Sequence, residues 1–500
     1  PQLTWVMNNV KDVQLGVDNQ IILKEDGSAW VRGNNRWGQI GNGTKTDGSS
    51  SQYRNDNVNI PYNVLNDVDK VYAGYNMFAV IKKNGELWTW GSNSGGQLGQ
   101  GKDMGELQEN SLPCYILKNI NKVALDPGSS NICAAIGKNG ELYIWGADFG
   151  SKPQKIMNDV VDININGGCC LIRKTDDTIW GMGTNHFGQL GIGSIIDTTI
   201  PQKINLNNVD KAEMIGSMAY AITKNKDLYI WGGRGAEVGE YKYNDDGYLY
   251  YQKYTDISLT DNLENNLVPT KIMSNVKTVC GNDTKIQILT QDGKLYGMGM
   301  IYKYMSNIGD ASQMYYSPKY LKEKIVDIVY TNPDGYDVGA PIWGIKTDEG
   351  IEVAGATTFI FPKYGDDGCE VKETKNFEKV NLLLKSDIAP AATQELEINT
   401  AGDDEIVKYT DLNPNELYNF YQLQKKDNIQ DILDAENLLY VTQSRADENG
   451  TLEIVYTKTG EQESGKRILV GESETIDSNS DSPIPTPTPD PSPAPSQSPA

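Results

Sequence analysis

The chain has 500 residues, with 67 Asp and Glu against 45 Lys and Arg, for a formal net charge of −22. That balance excludes a nucleic-acid surface, which needs clustered Lys and Arg, and disfavours an anionic membrane. The length exceeds one ordinary core and requires several domains or one repeat array, and 50 Gly with 28 Tyr beside seven Phe is the bias of a loop-rich β protein.

In chain order the first regular feature is a β-hairpin pattern, Ile21-Ile22-Leu23, Asp26-Gly27, Trp30-Val31-Arg32-Gly33. Asp-Gly and Asn-Gly suit a type I′ turn, whose two central residues both need φ > 0. The pattern returns in its clearest form as Phe78-Ala79-Val80-Ile81, Asn84-Gly85, Leu87-Trp88-Thr89-Trp90-Gly91. Five more copies follow, closing at Gly146, Gly183, Gly232, Gly299 and Gly355, and the last is the weakest. The closing glycines recur about every 54 residues, a period that signals a repeat architecture. A Pro opens a short strand before each copy, at Pro1, Pro61, Pro113, Pro153, Pro201, Pro269 and Pro318; the first strand residue is where a ladder tolerates a missing N–H. Each repeat therefore reads as four short antiparallel strands, which is one propeller blade.

Three closing glycines open a nonapeptide: Gly33-Asn34-Asn35-Arg36-Trp37-Gly38-Gln39-Ile40-Gly41, then Gly91 to Gly99, then Gly183-Thr184-Asn185-His186-Phe187-Gly188-Gln189-Leu190-Gly191. This Gly-x-Asn-x-x-Gly-Gln-Leu-Gly resembles the regulator of chromosome condensation repeat. The resemblance covers Pro1 to about Leu384; repeats three, five, six and seven keep the hairpin and lose the Gly-Gln-Leu-Gly. It implies a seven-bladed β-propeller that serves as a protein-interaction platform. Members of the wider family act as nucleotide-exchange factors for a small GTPase, as chromatin binders or as secreted β-lactamase inhibitors. Chromatin binding conflicts with the charge, and no loop here matches an exchange factor's wedge. Phe377 to Leu384 resembles the first segment of an eighth repeat, expected to pair with the terminal blade and fasten the ring.

From Lys385 the texture changes to spaced short strands such as Ile406-Val407-Lys408-Tyr409 and Leu452-Glu453-Ile454-Val455-Tyr456, with one or two helical turns within Asp427 to Glu436. This reads as an immunoglobulin-like sandwich over 385–472, similar to β modules of bacterial surface proteins. Residues 473–500, ending SPIPTPTPDPSPAPSQSPA, are a Pro-rich spacer that cannot bury a core. No leader and no membrane-spanning run is read, and the chain starts and stops in mid-pattern, so it reads as a fragment of something larger; the resemblance of the β modules and the spacer imply an extracellular, surface-attached or secreted protein.

The chemistry-bearing residues point away from catalysis. His186 is the single histidine, which removes a histidine triad, and it fills a position in the fourth repeat's glycine loop. Cys114, Cys133, Cys169, Cys170, Cys280 and Cys369 have neither metal-ligand spacing nor a nearby histidine; they read as small core residues, with the 169–170 pair on opposite faces of a strand. The glycine loops lack a Gly-Lys-Ser/Thr ending, so no nucleotide is expected, and their Gln side chains are placed to tie one turn to its neighbour. Asp245-Asp246-Gly247 and Asp366-Asp367-Gly368 read as turns without the alternation of a calcium loop. No cofactor and no metal are expected.

The long inserts follow closing glycines and so leave from one face of the ring. After Gly232 come Tyr241, Tyr243, Tyr248, Tyr250, Tyr251 and Tyr254, and after Gly299 come Tyr302, Tyr304, Tyr315 and Tyr316; Tyr336 lies between the first two strands of repeat seven. Tyr supplies stiff, amphipathic contact area at low entropy cost, so these residues form the expected partner-binding wall. The sequence thus predicts an all-β, non-enzymatic binding module for a protein partner. Carbohydrate or cell-wall glycan binding by the same face is the alternative, and a carboxylate-pair hydrolase in the central funnel is a weaker one.

Overall fold

A computed structural model describes residues 2–471 apart from a set of segments, of which the longest are 47–56, 258–266, 302–312, 332–341, 361–369, 383–393, 424–437 and 458–466. The chain forms seven four-stranded antiparallel sheets, one for each repeat read from the sequence. Blade one is Val10–Leu15, Asn19–Lys24, Ala29–Asn34 and Asn57–Leu65, and blade seven is Ile325–Thr331, Ile342–Thr347, Gly350–Ile360 and Glu370–Lys379. The fold is all-β, a β-propeller.

Why these sequences form blades is visible in the middle strands. The second and third strands of each blade are sandwiched between neighbours, so both their faces are apolar and they read as continuous runs rather than alternations. Met77–Lys82 is buried at five of six positions. Phe78, Val80 and Trp90 face blade one in a core with Ile21, Leu23 and Val31, while Ala79, Ile81 and Leu87 face blade three in another with Val123, Cys133 and Trp145. Cys169 and Cys170 divide in the same way between the two cores that flank blade four. Cys133, Cys169 and Cys170 are buried free thiols; Cys369 lies outside the described residues.

The prolines differ from expectation in one respect. Pro153 and Pro269 do precede a strand, but Pro61, Pro113, Pro201 and Pro318 sit inside theirs. All four strands are the outermost of their blade, where one edge needs no ladder partner and a missing N–H costs nothing.

The nonapeptide works as a joint between blades. Asn35 is buried; its Oδ1 accepts the Ile40 N–H at 3.1 Å, and its Nδ2 donates to the Thr44 carbonyl at 3.3 Å. Asn93 and Asn185 repeat the bracket, with Leu98 N–H at 2.9 Å and Leu190 N–H at 2.9 Å. Gln97 accepts the Gly95 N–H at 2.7 Å and donates to Asn131 Oδ1 of the next blade at 3.0 Å; Gln39 does the same with Trp37 N–H at 2.7 Å and Asn76 Oδ1 at 3.3 Å. The closing glycine is obligatory at Gly91, where φ is 104° and a Cβ would stand 2.6 Å from the Asn76 carbonyl oxygen.

The seam between blades three and four uses a different part. Asp126 is buried and its carboxylate accepts N–H groups from Gly128 (3.3 Å), Ser130 (2.8 Å) and, across the seam, Gly167 (3.1 Å).

The end of the ring corrects the sequence reading. Phe377 to Lys379 do pair with the terminal blade, but as its own fourth strand and not as the start of an eighth repeat, and Asn381–Leu382 then pairs in parallel with Gln2–Leu3. Beyond it, Gln394–Ala401, Asp404–Thr410 and Leu452–Thr457 form one three-stranded sheet, and Leu438–Arg445, Leu417–Leu423 and Arg467–Gly471 form a second. Val407, Tyr409, Leu452 and Ile454 of the first share a core with Tyr418, Phe420 and Leu469 of the second. The region 427–436, read as helical turns, lies outside the described residues.

Candidate interaction surface

Blade five carries the insert that the sequence singles out. Its third strand, Leu228–Gly232, pairs with a fourth, Thr270–Met273, and between them the chain makes a separate two-stranded sheet of Ala236–Tyr243 and Leu249–Ile257. The hairpin's register sets Tyr241 opposite Tyr251, Lys242 opposite Tyr250 and Tyr243 opposite Leu249, with an irregularity beyond Gly239 that leaves Tyr254 without a cross-strand position. Tyr315 and Tyr316 lie on Gln313–Lys322, the fourth strand of blade six, with Tyr315 opposite the closing Gly299. Tyr248, Tyr302, Tyr304 and Tyr336 lie outside the described residues, as do the acidic doublets at 245–246 and 366–367.

Blade four carries a set of side chains that the sequence reading passed over. Phe187, Ile195, Ile196 and Ile200 of blade four are all exposed, Ile196 at 73%. They do not hang on a slack loop. Asn185 is fully buried, and its Nδ2 donates to the carbonyls of Ser194 (2.8 Å) and Ile196 (3.2 Å) while its main-chain N–H donates to Asp197 Oδ1 at 2.7 Å. Asp197 Oδ2 lies 3.2 Å from Nε2 of the lone histidine, His186, with both side chains exposed. Gly193 N–H donates to the Leu267 carbonyl at 2.9 Å, tying the loop to the chain that returns from the hairpin into blade five. The signal was available in the sequence: Ile195 and Ile196 stand where the first repeat has Lys45 and Thr46.

Among the described residues no group of three or more His, Cys, Asp or Glu is arranged to hold a metal ion, and no helix is long and apolar enough to cross a membrane.

Residues 84–126 and 176–217 match the family described as regulator of chromosome condensation (RCC1) repeat, and 68–97 match a second pattern of the same description. The chain carries RCC1 repeats built into a β-propeller. It is 25% identical over 287 residues to the ultraviolet-B receptor UVR8 of Arabidopsis thaliana, a match covering 46% of this chain and 64% of the receptor. It is 28% identical over 188 residues to the human E3 ubiquitin-protein ligase HERC2, covering 32% of this chain and 4% of the ligase. The chain therefore spans less than two thirds of either relative. Among solved structures it is similar to human WBSCR16 (18% identity, TM-score 0.47, 65% of this chain and 86% of that one). It is likewise similar to yeast RCC1 (Prp20) bound to Kap60 (18% identity, TM-score 0.44, 64% and 77%).

Proposed function

We propose that this chain is a non-enzymatic binding module in which the propeller, taken as 1–384, presents one face of blades four to six to a protein partner. A sandwich over 385–472 and a spacer over 473–500 complete the reading, in an extracellular setting that fits the acidity and the Ser, Thr and Pro composition of the tail. The observation that carries it is the tie between Gly193 and Leu267. It ties a braced, exposed apolar set (Phe187, Ile195, Ile196 and Ile200) to the chain that enters the last strand of the blade bearing the Tyr-rich insert, and apolar and aromatic residues together are what protein interfaces use as anchors. The proposed surface includes the tyrosines that the sequence puts there, Tyr302, Tyr304, Tyr315 and Tyr316 in repeat six and Tyr336 in repeat seven. Relatives with the same repeat are named as a receptor and a ubiquitin ligase, and a yeast one is seen bound to another protein, which supports interaction as the shared task.

The test places a photo-reactive residue at Ile196 in one full-length variant and at Tyr251 in another, and exposes both to the same surface extract. Cross-linking of one common protein from both positions is expected. Different products, or glycan products alone, reject a single protein-binding surface.

A further inference from the structure

The seam between blades seven and one is unlike its sisters. On the first strand of a blade, the fourth and sixth residues pack against the preceding blade: Val71, Val123, Ile163 and Val279 at the fourth position are 2–4% exposed. At the sixth position Leu125, Ile165 and Met214 are 4–9% exposed. In blade one the same positions hold Val13 at 41% and Leu15 at 66%. On the other side of the seam, Leu23, Ile81, Ile136, Ile222 and Leu289 are buried where their blades meet the following one; at that place blade seven has the exposed Lys346, while blade four has the half-buried Arg173 at a seam that is packed. Val329, on blade seven's first strand, is 59% exposed.

Yet two residues on this flank of blade one are buried. Ile22 and Trp30 point the same way as Val80 and Trp88, which pack on the preceding blade, and they are 2% and 9% exposed. Their cover is the C-terminal pair of sheets. With Met7 they form one continuous core with Val407, Tyr409, Leu412, Tyr418, Phe420 and Leu469, and the strands Leu438–Arg445 and Leu452–Thr457 pack on Asn57–Leu65, the outer strand of blade one.

We infer that the two C-terminal sheets are the closing element of the propeller: they take the place of a preceding blade against Ile22 and Trp30, and the parallel pairing of Gln2–Leu3 with Asn381–Leu382 holds the ends of the ring beside them. The module is thus part of the ring's stability and not a bead on a string. This stands independently of the binding surface on blades four to six.

The test keeps the full chain and inserts a specific protease site within 385–393, so that the two parts are cut after folding. The nicked halves are expected to co-elute at micromolar concentration. Mild urea that strips the module is expected to speed amide exchange of Ala29–Asn34 by about tenfold or more, relative to the same urea on an uncut chain, because that strand loses its cover. Halves that separate in buffer overturn the inference, and so does exchange of Ala29–Asn34 that stays unchanged when the module is removed. A second variant, Trp30→Ala in the nicked chain, is expected to release the module while blades two to five keep their exchange protection; a module that stays bound contradicts it.

Discussion

Trp90 donates its indole N–H to the main-chain carbonyl of Gln39, 2.7 Å away in the preceding blade. Trp145 does the same to Gln97 at 2.8 Å and Trp231 to Gln189 at 2.9 Å. All three indoles are fully buried. The three blades that end in the full nonapeptide are followed by the three blades with Trp directly before the closing glycine; the remaining blades have Arg32, Met182, Met298 and Ala354 there. The nonapeptide and the tryptophan are two halves of one joint.

Replacing one half should be felt as a lost joint. Trp90→Phe leaves the Gln39 carbonyl buried without its donor, at about 1–3 kcal/mol for the unmet acceptor, with a packing loss added. Gly41→Ala attacks the same joint from the other side, since its Cβ would stand 2.9 Å from Trp90 Nε1 and 2.6 Å from Val64 Cγ2 at a φ of 77°. Denaturant titration should show both variants destabilised with an unchanged slope, and the double variant should lose less than the sum because one joint cannot break twice.

Asp126 should matter comparably at its own seam. Asp126→Ala orphans three N–H groups, one of them across the boundary to blade four, and is expected to destabilise by about 1–3 kcal/mol or more. Hydrogen exchange should rise first at Gly167 and its neighbours. Faster exchange confined to blade three would mean that the carboxylate only shapes its own loop.

Acid should act through the hairpin carboxylates. Asp26 accepts from the Ser28 hydroxyl (2.6 Å) and N–H (2.8 Å), and the Ser28 hydroxyl in turn accepts the Trp30 indole N–H at 2.8 Å. Asp176, Thr178 and Trp180 repeat the relay. The side-chain hydrogen bonds, ahead of the backbone ones, hold both carboxyls below the ordinary aspartate value of 3.8. A carboxyl lowered on folding stabilises fully above its unfolded pKa and loses that contribution as pH falls through the native value. Melting temperature should therefore be flat with respect to these groups above about pH 5 and fall below about pH 4. Asp26→Ala combined with Asp176→Ala should make that fall shallower.

Thiol chemistry checks the core directly. Burial drives the Cys133, Cys169 and Cys170 thiols well above their usual range and Cys280 up to about 12, so none is a thiolate near neutrality. Site-resolved alkylation of the native protein at pH 8 should modify none of these four until the chain unfolds. Rapid labelling of Cys169 would mean that the seam between blades four and five is open.

The blades were legible because they rest on local rules. Turns such as Asn84-Gly85, apolar runs such as Phe78 to Ile81, and glycines such as Gly91 repeat in phase, so each copy supports the others. The Tyr-bearing insert was legible as an interruption of that phase. What the repeats cannot display is how distant parts meet. Nothing local to Ile22 or Trp30 says that they share a core with Phe420, and Val13, Leu15 and Val329 read as ordinary strand residues although they are exposed in the fold. The pairing of Gln39 with Trp90 lay between those extremes, readable only by comparing each repeat with the next.

A protein partner on blades four to six is tested most directly by capture on the immobilised full-length chain from a surface extract, with and without prior protease digestion of that extract. A parallel surface carries Ile195→Ser, Ile196→Ser, Tyr241→Ser, Tyr250→Ser and Tyr251→Ser. Capture is expected to be lost on digestion and lost on the variant, whose melting temperature changes little. Capture that survives digestion, or a variant that binds as well as the parent chain, would contradict a protein partner on those blades.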